Sequence, residues 1–98
     1  MRYWFSFDLG LRGNYEDLYE WLDNMEAKEC GDSVATFVTE KTREEIAEEL
    51  SEFLDEKARV YIIGIHDGKF SGKFILGKRK RAPWAGYGGP MFEVEEEI

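Results

Sequence analysis

Arg2-Tyr3-Trp4-Phe5-Ser6-Phe7-Asp8-Leu9 decides the fold. Tyr3, Phe5, Phe7 and Leu9 fall on one side of a period-two alternation, and Trp4, Ser6 and Asp8 on the other. Large aromatics at every second position predict a strand with one core face and one mixed face. The apolar side of such a strand needs helices to cover it.

The following stretches supply them. After a loop at Gly10 to Gly13, Asn14 is a good N-cap with Asp17 three residues on. Tyr15, Leu18, Tyr19, Leu22 and Met25 then recur at three and four, while Glu16, Glu20 and Asp23 take the wet side. Ala27 to Cys30 and Val34 to Thr39 read as a hairpin turned at Gly31-Asp32-Ser33. Thr42-x-x-Glu45 is a capping box that opens a second helix through Asp55. Its apolar stripe is Ile46, Leu50, Phe53 and Leu54, helped by Ala47, and Glu44, Glu48, Glu49 and Glu52 form its outer face.

Arg59 to Ile65 is almost continuously apolar, which predicts a central strand covered on both faces. His66-Asp67-Gly68-Lys69 is a tight turn, and Phe70 to Leu76 a return strand with Phe74 and Leu76 on one side and Ile75 on the other. Lys78 to Arg81 is basic, Pro83 to Pro90 a glycine-rich loop, Met91 to Val94 a last short strand, and the acidic end frays. The order is strand, helix, hairpin, helix, strand, then an added hairpin. It predicts an α+β, ferredoxin-like βαββαβ sandwich with a C-terminal hairpin arm. The 98 residues make a single domain, with a core at 1–66 and the basic arm, Gly-rich loop and acidic tail at 67–98.

Composition bounds the chemistry. An apolar fraction of 43% is enough for one two-layer core, and 15% aromatics leaves rings to spare for an interface. One cysteine, Cys30, excludes an intrachain disulfide, and with His66 as the single histidine a zinc site is not expected. Met1 to Phe5 lacks the apolar run of a signal peptide, and no stretch approaches the roughly 20 apolar residues of a membrane span. The expectation is a cytoplasmic protein with no membrane partner. Net charge is −8, unevenly spread. Lys69, Lys73, Lys78, Arg79, Lys80 and Arg81 come without an acid between them, whereas Glu40 to Glu56 holds eight acids against two bases.

Two places could carry function. Asp8 ends the first strand on the face turned from the helices. It either caps the following loop or, in a twofold dimer joined by the open sheet face, approaches its symmetry mate and helps hold magnesium. The second place is the arm. Lys73, Lys78, Arg79, Lys80 and Arg81 could neutralise phosphates, and Trp84 and Tyr87 could stack bases. The competing reading pairs the arm with the acidic helix or tail. His66, at the end of the apolar strand, is an exposed turn residue or a general base. The Gly86-x-Gly88-Gly89 stretch is no phosphate loop, because no strand and helix flank it.

Several stretches together resemble a known family. They are Tyr3-Trp4-Phe5-Ser6-Phe7-Asp8-Leu9, Asn14-Tyr15-Glu16-Asp17-Leu18-Tyr19-x-x-Leu22, Ser33-Val34, Thr42-x-Glu44-Glu45-Ile46-x-x-Glu49-Leu50 and Arg59-Val60-Tyr61-Ile62. In order and spacing, over residues 2–66, they look like the small SinR-like proteins, which in turn resemble the second family of CRISPR-associated adaptation proteins. The resemblance implies a ferredoxin-like homodimer. Asp8 matches the acid that, in the family's nuclease reading, binds magnesium at the dimer interface as part of a metal-dependent endonuclease. In the adaptation reading the dimer is a scaffold for nucleic acid, without catalysis. Ser33 matches the serine opening the family's third strand. This chain differs in an acidic first helix and in Ala35-Thr36 after Ser-Val.

The leading expectation is therefore a homodimeric nucleic-acid-associated module, with magnesium-dependent cleavage at Asp8 as its enzymatic form. The alternative is a non-catalytic acidic interaction protein. It would be a toxin or antitoxin partner, or a phage-type inhibitor that mimics nucleic acid and binds a basic protein.

Overall fold

The computed structural model describes residues 1–80. Arg81, Trp84, Tyr87 and the strand expected at Met91 to Val94 lie outside the described residues. Seven elements follow in order: β1 (Arg2–Asp8), α1 (Tyr15–Asn24), β2 (Lys28–Gly31), β3 (Val34–Val38), α2 (Arg43–Leu50), β4 (Arg59–His66) and β5 (Lys69–Leu76). The strands form one antiparallel sheet in the order β2-β3-β1-β4-β5, with both helices on one side. The protein is thus α+β, and β1 lies in the middle of the sheet.

The alternation of β1 sets the two faces. Tyr3, Phe5, Phe7 and Leu9 are buried against Leu18 and Leu22 of α1 and Ile46 and Leu50 of α2. Ala35, Phe37, Val60 and Ile62 complete this core from the neighbouring strands. Phe5 meets Phe7, Phe37 and Trp21 with ring centroids 5.6–5.9 Å apart, so aromatic packing fixes the sheet-to-helix distance.

Both helix starts follow their sequence signals. The Asn14 side chain accepts from Asp17 N, and Thr42 and Glu45 form a complete capping box. Between the helices, Glu49 accepts from Trp21 Nε1 at 3.0 Å and from Lys41 Nζ at 2.6 Å. Arg43 reaches across β4 to the Ser71 backbone and hydroxyl on β5. Gly64 makes this reach possible, since a Cβ there would stand 2.9 Å from the Tyr3 ring and 3.2 Å from the Arg43 guanidinium.

Three expectations need correction. α2 ends at Leu50 rather than Asp55, and residues 51–53 continue as turns in which Leu54 N still bonds Leu50 O. β4 is not covered on both faces by described residues. Val60, Ile62 and Gly64 are buried, but Tyr61 and Ile63 are only half-buried and Ile65 is exposed. Phe74 and Leu76 do not share a side. A register shift pairs Phe74 with Tyr61 on the uncovered face and Leu76 with Val60 on the core face.

Candidate nucleic-acid interface

The face of the sheet away from the helices can be read from the strand register. One row across the strands holds Lys28, Thr36, Trp4, Ile63 and Gly72. The next holds Val34, Ser6, Tyr61 and Phe74, and Asp8 and Arg59 are paired beyond it. Arg2 pairs with Val38, and Phe70 with Ile65. No described helix packs on this face.

The rings on it are ordered among themselves. Trp4 lies against Phe70 with centroids 5.7 Å apart, and Tyr61 against Phe74 at 4.9 Å. Gly72 gives the Tyr61 ring room, because a Cβ at residue 72 would stand 2.6 Å from the Tyr61 oxygen. The ring therefore lies against the β5 backbone. Phe70 is 70% exposed and its partner Ile65 43%, so an apolar patch runs along this side of β4 and β5, with the exposed Val38 apart from it on β3.

Most of the acids on described helices and strands lie on the helix side. On the uncovered face the strand residues Arg2, Lys28 and Arg59 are cationic, and Asp8 is the acid among them. The helices carry Glu16, Asp17, Glu20, Asp23, Glu44, Glu45, Glu48 and Glu49. A cleft of about 440 Å³ between α1 and the β2–β3 hairpin is lined by Asp23, Glu29 and Asp32 above Phe7, Tyr19 and Leu22. Three carboxylates at its walls oppose any phosphate there.

Asp8 has two partners. Its Oδ1 accepts from Gly10 N and its Oδ2 from Arg59 Nη2, each at 3.1 Å. The Arg59 bond first, then the Gly10 bond, with Lys80 adding its charge, hold the carboxyl below its ordinary value. Arg59 Nε is buried and has no hydrogen-bond partner among the described residues. The loop-capping role expected for Asp8 is present, and the arginine across β4 is the partner that sequence reasoning missed. Nothing local could have revealed it, since 51 positions separate the two residues.

These residues do not fit magnesium in one copy of the chain. Both Asp8 oxygens already accept hydrogen bonds, and no cluster of three His, Cys, Asp or Glu side chains exists among the described residues. A hard cation at Asp8 would need further oxygens beyond this one carboxylate.

The basic residues are split up. Lys73 lies on the helix side, opposite Ile62, with its Nζ 3.5 Å from Glu44 Oε2. Lys78, Arg79 and Lys80 are exposed beyond β5, and Lys80 is near enough to Asp8 to act on its ionisation. Lys73 thus faces the acidic helix α2 and not the uncovered sheet face. His66 is exposed at the end of β4, 3.6 Å from Asp67. Cys30 is exposed on β2. No described helix is long and apolar enough to cross a membrane.

No protein-family model matches the chain, and neither a characterised protein nor a solved structure gives a significant match. The resemblance to the CRISPR-associated adaptation proteins rests on the sequence motifs alone.

Proposed function

We propose that this chain is a nucleic-acid-associated module of ferredoxin-like architecture that works by binding through its uncovered sheet face. The strand order β2-β3-β1-β4, with one helix after β1 and another after β3, supports the architecture, and β5 extends it as the start of a C-terminal arm.

One observation carries the reading: the aromatic sheet face is bordered by bases while the acids gather on the helices. The net charge of −8 repels a polyanion at long range, and the helix side repels it most. The sheet is the approach that remains. The exposed Lys78, Arg79 and Lys80, followed in sequence by Arg81, Trp84 and Tyr87, extend the same chemistry beyond β5. The form proposed is binding without catalysis, with Asp8 holding Arg59 and capping the Gly10 loop. The test is fluorescence anisotropy with labelled RNA and DNA. Binding is expected at low salt, falling steeply as salt rises. Its absence at low salt would leave the proposal without foundation.

A homodimer is the rival use of the same face, favoured by the exposure of Phe70, Ile65 and Val38. Analytical ultracentrifugation separates the two, since a dimer forms without nucleic acid. A second reading, the acidic interaction protein, draws on Glu44, Glu45 and Glu48, which are exposed on α2. It requires a basic protein that competes for this face and is released by salt.

A further inference from the structure

The geometry points to single-stranded, not double-stranded, nucleic acid as the ligand of the uncovered sheet face, held by base stacking on Phe70 and Trp4 with Arg2, Lys28 and Arg59 at the phosphates. This inference rests on the nucleic-acid reading above and narrows it to a ligand class and a set of residues.

The apolar and cationic parts of the face are separate. Trp4, Tyr61 and Ile63 hold its centre, and the apolar surface runs on to the edge strand β5 through Phe70 and Phe74. Lys28 lies beyond Thr36 at one end of the central row, Arg2 follows the line of β1, and Arg59 closes the far side beside Asp8. Rings that run from the centre to the β5 edge, with cations at the other margins, suit a chain whose bases lie on the rings and whose phosphates pass over the cations. A duplex presents the opposite order, with phosphates outermost and bases stacked within. It would set its charges over rings that cannot answer them.

The number of cations argues the same way. Duplex binding by charge alone needs many phosphate contacts, and this face provides three strand-borne bases, one of them already paired with Asp8. Stacking must therefore supply much of the affinity. Phe70 is best placed for it. It is 70% exposed and is braced from one side by Trp4, so a base meets a ring already held in position. Gly72 and the flattened Tyr61 ring leave the adjoining surface low enough for a second base to follow.

The test uses the full chain and two fluorescein-labelled probes, an oligothymidine of about 12 nucleotides and a mixed-sequence duplex of about 12 base pairs, at about 20 mM salt. The single strand should bind at least about tenfold tighter than the duplex. Phe70→Ala should weaken single-strand binding by about tenfold or more, the scale of one lost stack. Arg2→Gln should flatten the salt dependence by about one phosphate contact. Lys41→Gln, on the helix side where Lys41 pairs with Glu49, should change neither. Phe70 is largely exposed, so its replacement tests contact and not folding, and the circular dichroism spectrum of the variant should match that of the parent. Duplex binding as tight as single-strand binding, or single-strand binding indifferent to Phe70→Ala, overturns the inference and leaves the broader reading standing. No binding of either probe overturns both. A Phe70→Ala variant that loses a dimer seen in the free parent, without a change in affinity per chain, assigns the face to a second copy and also overturns it.

Discussion

Asp8 and Arg59 hold one another at the end of the β1–β4 pair. Asp8→Asn keeps an acceptor for Gly10 N but removes the charge facing Arg59. The Asp8 side chain is 47% exposed, so solvent screens the pair and the loss should be about 1 kcal/mol or less in urea denaturation. Gly64→Ala should cost more, about 1–3 kcal/mol, because its new methyl must move the buried Tyr3 ring or the Arg43 bridge to β5. A thermal melt of that variant unchanged from the parent would show that the Tyr3 ring yields freely. At this scale the sequence displayed half of each story. The acid at the end of β1 and its loop-capping geometry were legible, because Asp8 and Gly10 are neighbours. Arg59 was not, because only the β1–β4 register makes it one.

Among the elements, the helix starts were the most legible, since Asn14 and the Thr42–Glu45 box are local signals with local partners. Thr42→Ala should destabilise by about 1 kcal/mol, the usual worth of an N-cap side chain. The end of α1 offers a gain. Glu26 follows the helix at φ 58°, where its N–H bonds Asp23 O and Ala27 N–H bonds Leu22 O. A left-handed residue at this place favours glycine, so Glu26→Gly should stabilise by about 1 kcal/mol in the same urea assay. Failure to raise the midpoint would mean that the glutamate side chain contributes something its backbone conformation does not show. Less legible was β5. Lys69 to Leu76 alternates well enough to predict a strand, but its register shift against β4 depends on pairing and cannot be read from spacing. That single slip turned Leu76 to the core face opposite Val60, while Phe74 stays in line with Phe70 and Gly72 on the uncovered face. The other side of β4 is half-buried because Tyr61 and Ile63 lie beside Phe74, Gly72 and Trp4 of the neighbouring strands, with no described helix above them.

At the scale of the whole molecule, the ion-paired carboxylates should be visible in solution. Asp8 and Glu49 both have carboxyls held below their ordinary values, Asp8 mainly by Arg59 and Glu49 mainly by Lys41 and then Trp21. Carboxylates depressed in the folded state contribute stability that is present above the ordinary carboxylate range and lost as pH falls through the folded values. The urea midpoint should therefore hold level at neutral pH and begin to fall below about pH 4. Replacing Glu49 by Gln should shallow that acid limb, and an unaltered limb would remove Glu49 as its source. The two-layer arrangement itself was legible from the period of β1 and the helix stripes. The partition of charge between the layers was not, because Arg2, Lys28 and Arg59 are scattered in sequence and meet only through strand order.

That strand order also governs how the protein is made. β1 leaves the ribosome first, yet its two sheet neighbours are β3 and β4, and it has no hairpin partner adjacent in sequence. Until residue 66 has emerged, the most aromatic strand of the chain has one free edge and an incompletely covered face. Such long-range pairings slow folding and lengthen the exposure of unfinished surface. A nascent chain stalled before β4 should accordingly be held by chaperones and cleaved by added protease, and should become resistant in a single step once that strand is free.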